Sequence, residues 1–236
     1  MKPIFKRILL KLSGEGLMGK AGFGIDSSVV KNIASEIVDI RDLGVQVCLV
    51  IGGGNFFRGA KNASSNMDRS VADQIGMMAT VMNALAMKSA LEEKKCPVKI
   101  YTGLEMPQVC DSYNFRDAYS SVLNGDVVIF AGGTGCPYFT TDSGAALRAS
   151  EMHCDVIMKA TQVDGIYDSD PKKNAKAKRY DEVSYHEVIS KHLDVMDITA
   201  ITMAQDNNIP IMVFSQEGKS SILKAVCGKS KCTIVK

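Results

Sequence analysis

The chain alternates short apolar runs with longer amphipathic stretches, and this alternation constrains its fold more than any other feature of the sequence. Strands that are covered on both faces are short, β-branched and nearly continuous in apolar residues, because neither face meets water. Runs of this kind occupy residues 7–12, 45–51, 98–101, 127–131, 156–159 and 211–214. They predict the strands of a largely parallel sheet.

Stretches with helical spacing separate these runs, at residues 27–43, 67–95, 114–124, 142–153, 184–191, 197–207 and 218–227. Asp26 is placed to cap the first helix and Gly44 to end it, and Ser184 with Glu187 forms a capping box. Strands that alternate with helices predict an α/β fold, a three-layer αβα sandwich with a central, mainly parallel twisted sheet. We find no internal repeat or linker and therefore expect a single domain over residues 1–236.

Composition and charge exclude several classes of protein. The net charge is +2, from 28 basic and 26 acidic residues, whereas a nucleic-acid-binding protein usually has a strong positive excess. The seven cysteines contain no CxxC pair, which predicts free thiols in a reducing compartment rather than disulfides or zinc. Lys11 interrupts the apolar run at 8–10, which is too short for a signal peptide, and no run has the length of a membrane span. We expect a cytoplasmic protein without nucleic-acid or membrane partners and without a metal site of its own side chains.

The helix predicted at 67–95 is apolar over more than one face. It contains Met77, Met78, Met82 and Met87 together with several branched apolar residues. Methionines at helical spacing are typical of core packing. A surface this wide is also compatible with a subunit interface, and both interpretations stay open.

Glycine-rich turns follow the strands of the predicted sheet. Gly52-Gly53-Gly54-Asn55 follows the second strand, and glycine lets backbone N–H groups approach an anion closely. Arg58 comes next and could grip phosphate oxygens with two parallel hydrogen bonds. A tight turn followed by a surface arginine would give the same pattern, so this motif alone does not decide the function.

Three further loops strengthen the phosphate hypothesis. The segment 132–142 contains three glycines, three threonines and Asp142 and then opens a helix, whose N-terminus favours anions. Lys11 interrupts an apolar strand and is followed by Ser13 and Gly14, and a fourth loop runs over residues 159–171. In open α/β sheets, ligands bind beyond the carboxyl ends of the strands, where all four loops would lie. The P-loop and protein-kinase motifs are absent, and neither the glycine-rich loop at 52–55 nor the one at 132–142 gives a full GxGxxG.

These motifs resemble the amino-acid kinase superfamily and, within it, the bacterial uridylate (UMP) kinases. The resemblance rests on Lys11-Leu12-Ser13-Gly14, Gly52-Gly53-Gly54-Asn55-x-x-Arg58-Gly59, Gly135-x-Pro137-x-Phe139-Thr140-Thr141-Asp142 and Lys159-Ala160-Thr161-x-Val163-Asp164-Gly165-x-Tyr167-x-x-Asp170-Pro171. It covers nearly the whole chain, in order and without large gaps. It implies ATP-dependent phosphorylation of UMP to UDP with Mg²⁺, in pyrimidine nucleotide biosynthesis. It also implies a homohexamer, activation by GTP and inhibition by UTP.

The resemblance also implies roles for individual residues, and it divides the chain into an acceptor-binding N-terminal lobe and an ATP-binding C-terminal lobe. The ATP positions are Lys11, Leu12, Ser13, Gly14, Gly54, Arg58, Thr161, Tyr167 and Asp170. The UMP positions are Gly53, Asp73, Thr134, Gly135, Cys136, Pro137, Tyr138, Phe139, Thr140 and Thr141. The segment linked to GTP is Gly19, Lys20, Ala21, Gly22, Phe23 and Gly24, which by itself predicts only a hairpin.

Catalysis in this interpretation needs positioning and charge stabilisation more than a base. A phosphate acceptor is mostly dianionic at neutral pH because its second pKa is about 6, so it needs no proton removed. Lys11, Arg58 and Asp142 are the predicted catalytic residues: Lys11 neutralises the ATP phosphates, and Asp142 organises Lys11 or the metal. Asp142 would equally be explained as a helix N-terminal residue.

Two other functions stay open. One is a superfamily kinase for carbamate or an amino acid, and the other is a non-catalytic module that senses nucleotides. Superfamily relatives that phosphorylate carboxylates or carbamate use a second lysine late in the chain. The matching region at 195–199 has none, which weakens the first alternative, and Lys11 together with Asp142 weakens the second.

Overall fold

A single sheet of nine strands organises the part of the chain that this computed structural model describes, namely residues 1–57, 67–171, 173–174 and 176–236. The order across the sheet is β4-β3-β5-β2-β1-β6-β8-β9-β7. Neighbouring strands are parallel except for β8 and β9. The strands are β1 (Arg7–Leu12), β2 (Gln46–Ile51), β3 (Val98–Thr102), β4 (Asp111–Ser112), β5 (Val127–Ala131), β6 (Val156–Thr161), β7 (Glu182–Val183), β8 (Ile211–Ser215) and β9 (Cys232–Val235).

Helices cover both faces of this sheet. They are α1 (Ser27–Asp42), α2 (Arg69–Glu92), α3 (Phe115–Leu123), α4 (Thr141–Glu151), α5 (Tyr185–Ser190), α6 (Ile198–Asp206) and α7 (Ser221–Val226). Helices α1, α2 and α7 share one buried core with Ile8 and Leu10 of β1. Helices α3 to α6 share the other core with Leu9. Successive residues of a strand point to opposite faces, so β1 contributes to both cores, and the predicted three-layer sandwich is confirmed.

The six predicted strands and seven predicted helices are all present, with ends that differ by a few residues. Three strands were not predicted. β4 and β7 have two residues each, too few to show any periodicity, and β9 is the strand that runs antiparallel to β8. In the described part of the chain, no helix combines the length and the apolar character that crossing a membrane requires.

The hairpin predicted at 19–24 is wrong. The segment forms a turn and a series of bends, with Ala21 N–H donating to the Met18 carbonyl at 3.2 Å. Gly19, Gly22 and Gly24 have φ values of +57°, +73° and +74°. Three left-handed residues in so short a segment redirect the backbone too often for two extended strands to pair.

Caps account for the ends of several helices. The Asp26 carboxylate accepts from the N–H groups of Ser28 at 2.9 Å and Val29 at 3.3 Å, as predicted, and Gly44 follows α1 with a φ of +86°. The Ser184 hydroxyl accepts from Glu187 N–H at 3.1 Å, which is one half of the predicted capping box. The Glu187 carboxylate itself accepts from Lys191.

The sheet order brings four loops to one edge. Strands β5, β2, β1 and β6 are consecutive neighbours and all run in the same direction. The loops that follow their carboxyl ends therefore lie side by side. These are the four loops that the sequence singled out for phosphate binding.

Candidate active site

The loops after β1 and β2 pack backbone against backbone. A Cβ atom at Gly14 would lie 2.3 Å from the Gly52 carbonyl oxygen, and one at Gly53 would lie 2.7 Å from the Gly76 carbonyl oxygen of α2. Gly52 N–H also donates to the Leu12 carbonyl at 2.9 Å. Glycine is required because a larger side chain would push the two loops apart at Gly14 and would push the second loop away from α2 at Gly53.

A buried pair of amides supports the glycine turn. Asn55 and Asn83 exchange hydrogen bonds of 2.8 and 2.7 Å, and Asn83 Nδ2 donates to the Gly52 carbonyl at 2.7 Å. Asn55 Nδ2 also donates to the Gly24 carbonyl at 2.9 Å, and Gly24 N–H donates back to the Asn55 carbonyl at 3.0 Å. The segment 19–24 is thereby attached to the turn. Asn83 was not predicted, because an asparagine on a mostly apolar helix shows its partners only in the folded structure.

Asp142 lies between two lysines of neighbouring strands. Lys11 Nζ is 2.8 Å from Asp142 Oδ1 and Lys159 Nζ is 3.0 Å from Asp142 Oδ2. Burial raises the pKa of Asp142, but the ammonium groups of Lys11 and Lys159 hold it below its ordinary value. Burial lowers the pKa of Lys159, and the Asp142 charge opposes that effect. Lys159 was predicted as the last residue of a strand and the first of the fourth loop, with no role of its own.

Asp197 fixes the start of α4. Its carboxylate accepts from the Thr140 hydroxyl and from the Ser143 hydroxyl at 2.9 and 3.0 Å. It also accepts from Ala200 N–H at 2.9 Å, as the N-cap of α6. Thr140 in turn caps α4 by accepting from Asp142 N–H at 3.0 Å. Asp197 therefore sets the position from which Asp142 reaches the lysines, a role that sequence reasoning missed.

The first cavity at this edge has a volume of about 260 Å³ and is here called the acceptor cavity. Six of the predicted nucleotide positions line it, namely Gly53, Gly54, Asp73, Phe139, Thr140 and Thr141. Asp73 accepts from Tyr138 N–H at 2.8 Å, and its carboxylate lies 3.5 Å from Arg69 Nε. The wall also includes Phe57, Arg69, Gly76, Met77 and Thr80, none of which was predicted.

Other predicted UMP positions lie outside the lining of this cavity. Thr134, Gly135, Cys136 and Pro137 form the adjoining turn, in which Cys136 N–H donates to the Thr134 hydroxyl at 3.2 Å. Tyr138 stacks on the Arg69 guanidinium, with its ring centroid 4.6 Å from Cζ. The guanidinium of Arg69 therefore borders the cavity next to Asp73.

The second cavity has a volume of about 320 Å³ and is here called the donor cavity. Of the predicted ATP positions it brings together Lys11, Ser13 and Thr161. Its wall also includes Lys159 and Gln216, which were not predicted. Asp142 adjoins Thr141 of the acceptor cavity and contacts both lysines of the donor cavity, so it joins the two.

The remaining predicted ATP positions do not line the donor cavity. Leu12 is buried beside it, and Gly14 contacts Gly52. The Tyr167 hydroxyl donates a hydrogen bond to Asp164 Oδ1 at 2.6 Å, and Asp170 Oδ2 lies 3.8 Å from Lys173 Nζ. Arg58 lies outside the described residues.

Comparisons with known proteins agree with this architecture. Residues 6–215 match the model of the amino acid kinase family. A uridylate kinase of Erythrobacter litoralis is 52% identical over 99% of this chain and 98% of its own length. A uridylate kinase of Shewanella amazonensis is 50% identical over 100% of this chain and 98% of its own length.

Solved structures give the same result. The crystal structure of a UMP kinase from Ureaplasma parvum has a TM-score of 0.94 and 35% identity, and the match covers 100% of both chains. A UMP kinase from Bacillus anthracis has a TM-score of 0.92 and 38% identity, over 98% of this chain and 96% of the other.

Replacing Asp142 tests the balance of charge at this site. Asp142→Asn leaves two ammonium groups close together, so we expect the free energy of unfolding in urea to fall by about 3–5 kcal/mol near neutral pH. The pKa of Asp142 in the folded chain lies below its ordinary value of 3.8. The extra free energy of unfolding that the wild type has over Asp142→Asn is therefore fully present above that pH. It is lost as the pH falls through the lower folded value.

Asp39→Asn is the matched control, because Asp39 is an exposed residue of α1. Its effect is expected to stay within about 0.5 kcal/mol. A loss for Asp142→Asn as small as that of the control, or one that does not change below pH 3.8, would contradict this account.

Proposed function

The chain belongs to the amino acid kinase family, and on that basis we propose that it is a UMP kinase, which transfers the γ-phosphoryl group of ATP directly to the phosphate of UMP. The observation that carries the proposal is the position of Asp142 between two cavities, with a lysine on each of its oxygens. The product, UDP, is a precursor in pyrimidine nucleotide biosynthesis. Relatives that are 52% and 50% identical over 99% and 100% of this chain carry the name uridylate kinase.

The proposed mechanism relies on charge and position. The UMP phosphate is already a nucleophile at neutral pH, since its second pKa is about 6. The Lys11 ammonium neutralises charge on the donor phosphates, and N–H groups of the turn Gly52–Gly54 and of the start of α4 face the anions. Asp142 accepts no proton in this scheme and instead holds the lysine ammonium groups in place.

Recognition of UMP is assigned to the acceptor cavity. We assign the ribose to Asp73, because a carboxylate has several acceptor positions and Tyr138 N–H occupies one of them. Arg69 is a further candidate for the acceptor phosphate, because its guanidinium borders the same cavity. The other proposed contacts come from Gly53 and the stretch 134–141.

Recognition of ATP is assigned to the donor cavity, through Lys11, Ser13 and Thr161. Gly14 and Gly54 belong to the neighbouring loops, Arg58 is proposed as a further contact from its place in the sequence motif, and Tyr167 and Asp170 are proposed for the nucleoside end of ATP. Mg²⁺ would neutralise negative charge on the phosphate oxygens of ATP. Asp142 does not fit as its ligand, since both oxygens contact ammonium groups. The ion is therefore proposed only as one carried by ATP.

Assembly and regulation complete the proposal. Six exposed apolar residues form a stripe along α2 and its start: Met67, Val71, Ile75, Met78, Met82 and Leu85. They recur every three or four residues, the spacing of one helix face, and we assign this α2 stripe to contact between copies of the chain in a homohexamer.

GTP activation is assigned to the segment 19–24, whose hydrogen bonds to Asn55 connect it to the glycine turn. UTP inhibition and a cytoplasmic location are proposed with them.

An acceptor screen tests the proposed function. Purified protein with ATP and Mg²⁺ is offered UMP, CMP, AMP, carbamate and N-acetylglutamate. We expect kcat/KM for UMP to exceed that for every other acceptor by about 100-fold or more, because buried polar groups that match one acceptor reject the others. A preference for a carboxylate or carbamate would contradict the proposal. Nucleotide binding without turnover of any acceptor would support a sensing module instead.

A charge within the α2 stripe tests the assembly. Met78→Lys places an ammonium in a contact that excludes water, so we expect sedimentation velocity to show species smaller than the wild-type assembly. Leu123→Lys is the matched control, because Leu123 is similarly exposed at the end of α3. An unchanged mass for Met78→Lys would contradict the assignment of the stripe.

A further inference from the structure

We propose that Lys159 is a second catalytic lysine, whose ammonium group contacts the transferring phosphoryl group together with that of Lys11. The inference rests on the proposed kinase function and deepens it. The motif that contains Thr161 begins at Lys159, but the resemblance assigns a nucleotide contact to Thr161 and no role to Lys159. Its placement in the fold is what points to the reacting atoms.

The register of the sheet puts the two lysines side by side. Lys11 of β1 pairs with Lys159 of β6, and the two strands are parallel. Paired positions of neighbouring strands point to the same face of a sheet. Leu9 and Ile157, two residues earlier on each strand, both pack in the core beneath α4. The lysines continue that face to the carboxyl ends of the strands, where α4 begins.

The charges in this cluster do not cancel. Asp142 offers one negative charge to two ammonium groups, at 2.8 and 3.0 Å. The side chains of Lys11, Lys159 and Asp142 are 11%, 17% and 15% exposed, so these charges interact with little screening by water. A transferring phosphoryl group, whose negative charge is spread over three equatorial oxygens, is the kind of anion that balances such a cluster.

The Lys159 ammonium group also has more N–H donors than it has acceptors among the described residues. An ammonium group carries three N–H donors. Asp142 Oδ2 accepts from one and the Val195 carbonyl from another. Within the described residues these are its two hydrogen-bond acceptors, and the side chain lines the donor cavity with Lys11 and Ser13. The third donor is therefore available to a phosphate oxygen.

Removing the charge tests the proposal. Lys159→Met is expected to lower kcat by about 100- to 1,000-fold, the usual effect of losing one group that stabilises charge in the transition state. KM for UMP is expected to change by less than about threefold, because Lys159 is not part of the acceptor cavity lining. Lys99→Met is the matched control, since Lys99 is an exposed strand lysine of β3, and it is expected to keep wild-type kcat.

Two further variants separate catalysis from a structural role. Lys159→Gln keeps an N–H donor for the Val195 carbonyl but lacks the charge, and Lys159→Arg keeps the charge. A catalytic lysine predicts that the glutamine variant is as slow as the methionine variant and that arginine restores at least about a tenth of kcat. Near-wild-type kcat for the glutamine variant would overturn the proposal, because it would show that the hydrogen bond alone suffices.

The pH profile tests the catalytic role of Lys159 if the methionine variant does not fold. Burial lowers the pKa of Lys159 below its ordinary 10.5, and the facing groups Asp142, Lys11 and Asp194 modify that shift. The wild-type kcat/KM, which reports the groups of the free enzyme, should therefore decline on the alkaline side below that pH. In Lys159→Arg this decline should disappear, because a guanidinium keeps its proton. A decline at the same pH in both proteins would overturn the proposal.

The wild-type protein, assayed with ATP and UMP in the same series, separates the two hypotheses. Absence of wild-type turnover would contradict the kinase function itself. Wild-type turnover with an unchanged kcat in Lys159→Met would contradict only the role of Lys159.

Discussion

The shared ion pair of Asp142 with Lys11 and Lys159 is the interaction on which the rest of the site depends. Two ammonium groups on neighbouring strands would repel each other in a largely buried position, and the carboxylate between them makes their proximity tolerable. The carboxylate must therefore be placed accurately. Thr140 caps the helix that carries it, and Asp197 holds Thr140 and Ser143, so the start of α4 is fixed from two directions.

The glycine turn is the second constraint, and it acts through the backbone. Gly14 and Gly53 allow contacts that a Cβ atom would prevent, and the Asn55–Asn83 pair fixes the turn from beneath. The same amide pair reaches the Gly24 carbonyl. A change in the segment 19–24 can thus alter the turn without touching a substrate, which gives the proposed regulation a physical route.

Much of the fold could be predicted from sequence because its strands are short, β-branched and buried on both faces. The loops at 11–16, 52–55 and 132–142 could be predicted as neighbours, since carboxyl ends of parallel strands meet at one edge. Lys11 was noticed because a charge interrupts an apolar strand. Lys159 carries the same signal, but only the register of β1 with β6 shows that the two lysines face one carboxylate. The roles of Asn83 and Asp197 depend in the same way on tertiary contacts that one sequence does not display.

In the proposed function the site is a meeting point of two anions, where transfer occurs in one step and no group of the protein carries the phosphoryl group. The stereochemistry at phosphorus tests this most directly. ATP whose γ-thiophosphoryl group is made chiral with oxygen isotopes is used to phosphorylate UMP, and the configuration of the product is determined. A single in-line transfer predicts inversion. Retention would reveal an intermediate on the protein and would contradict the account.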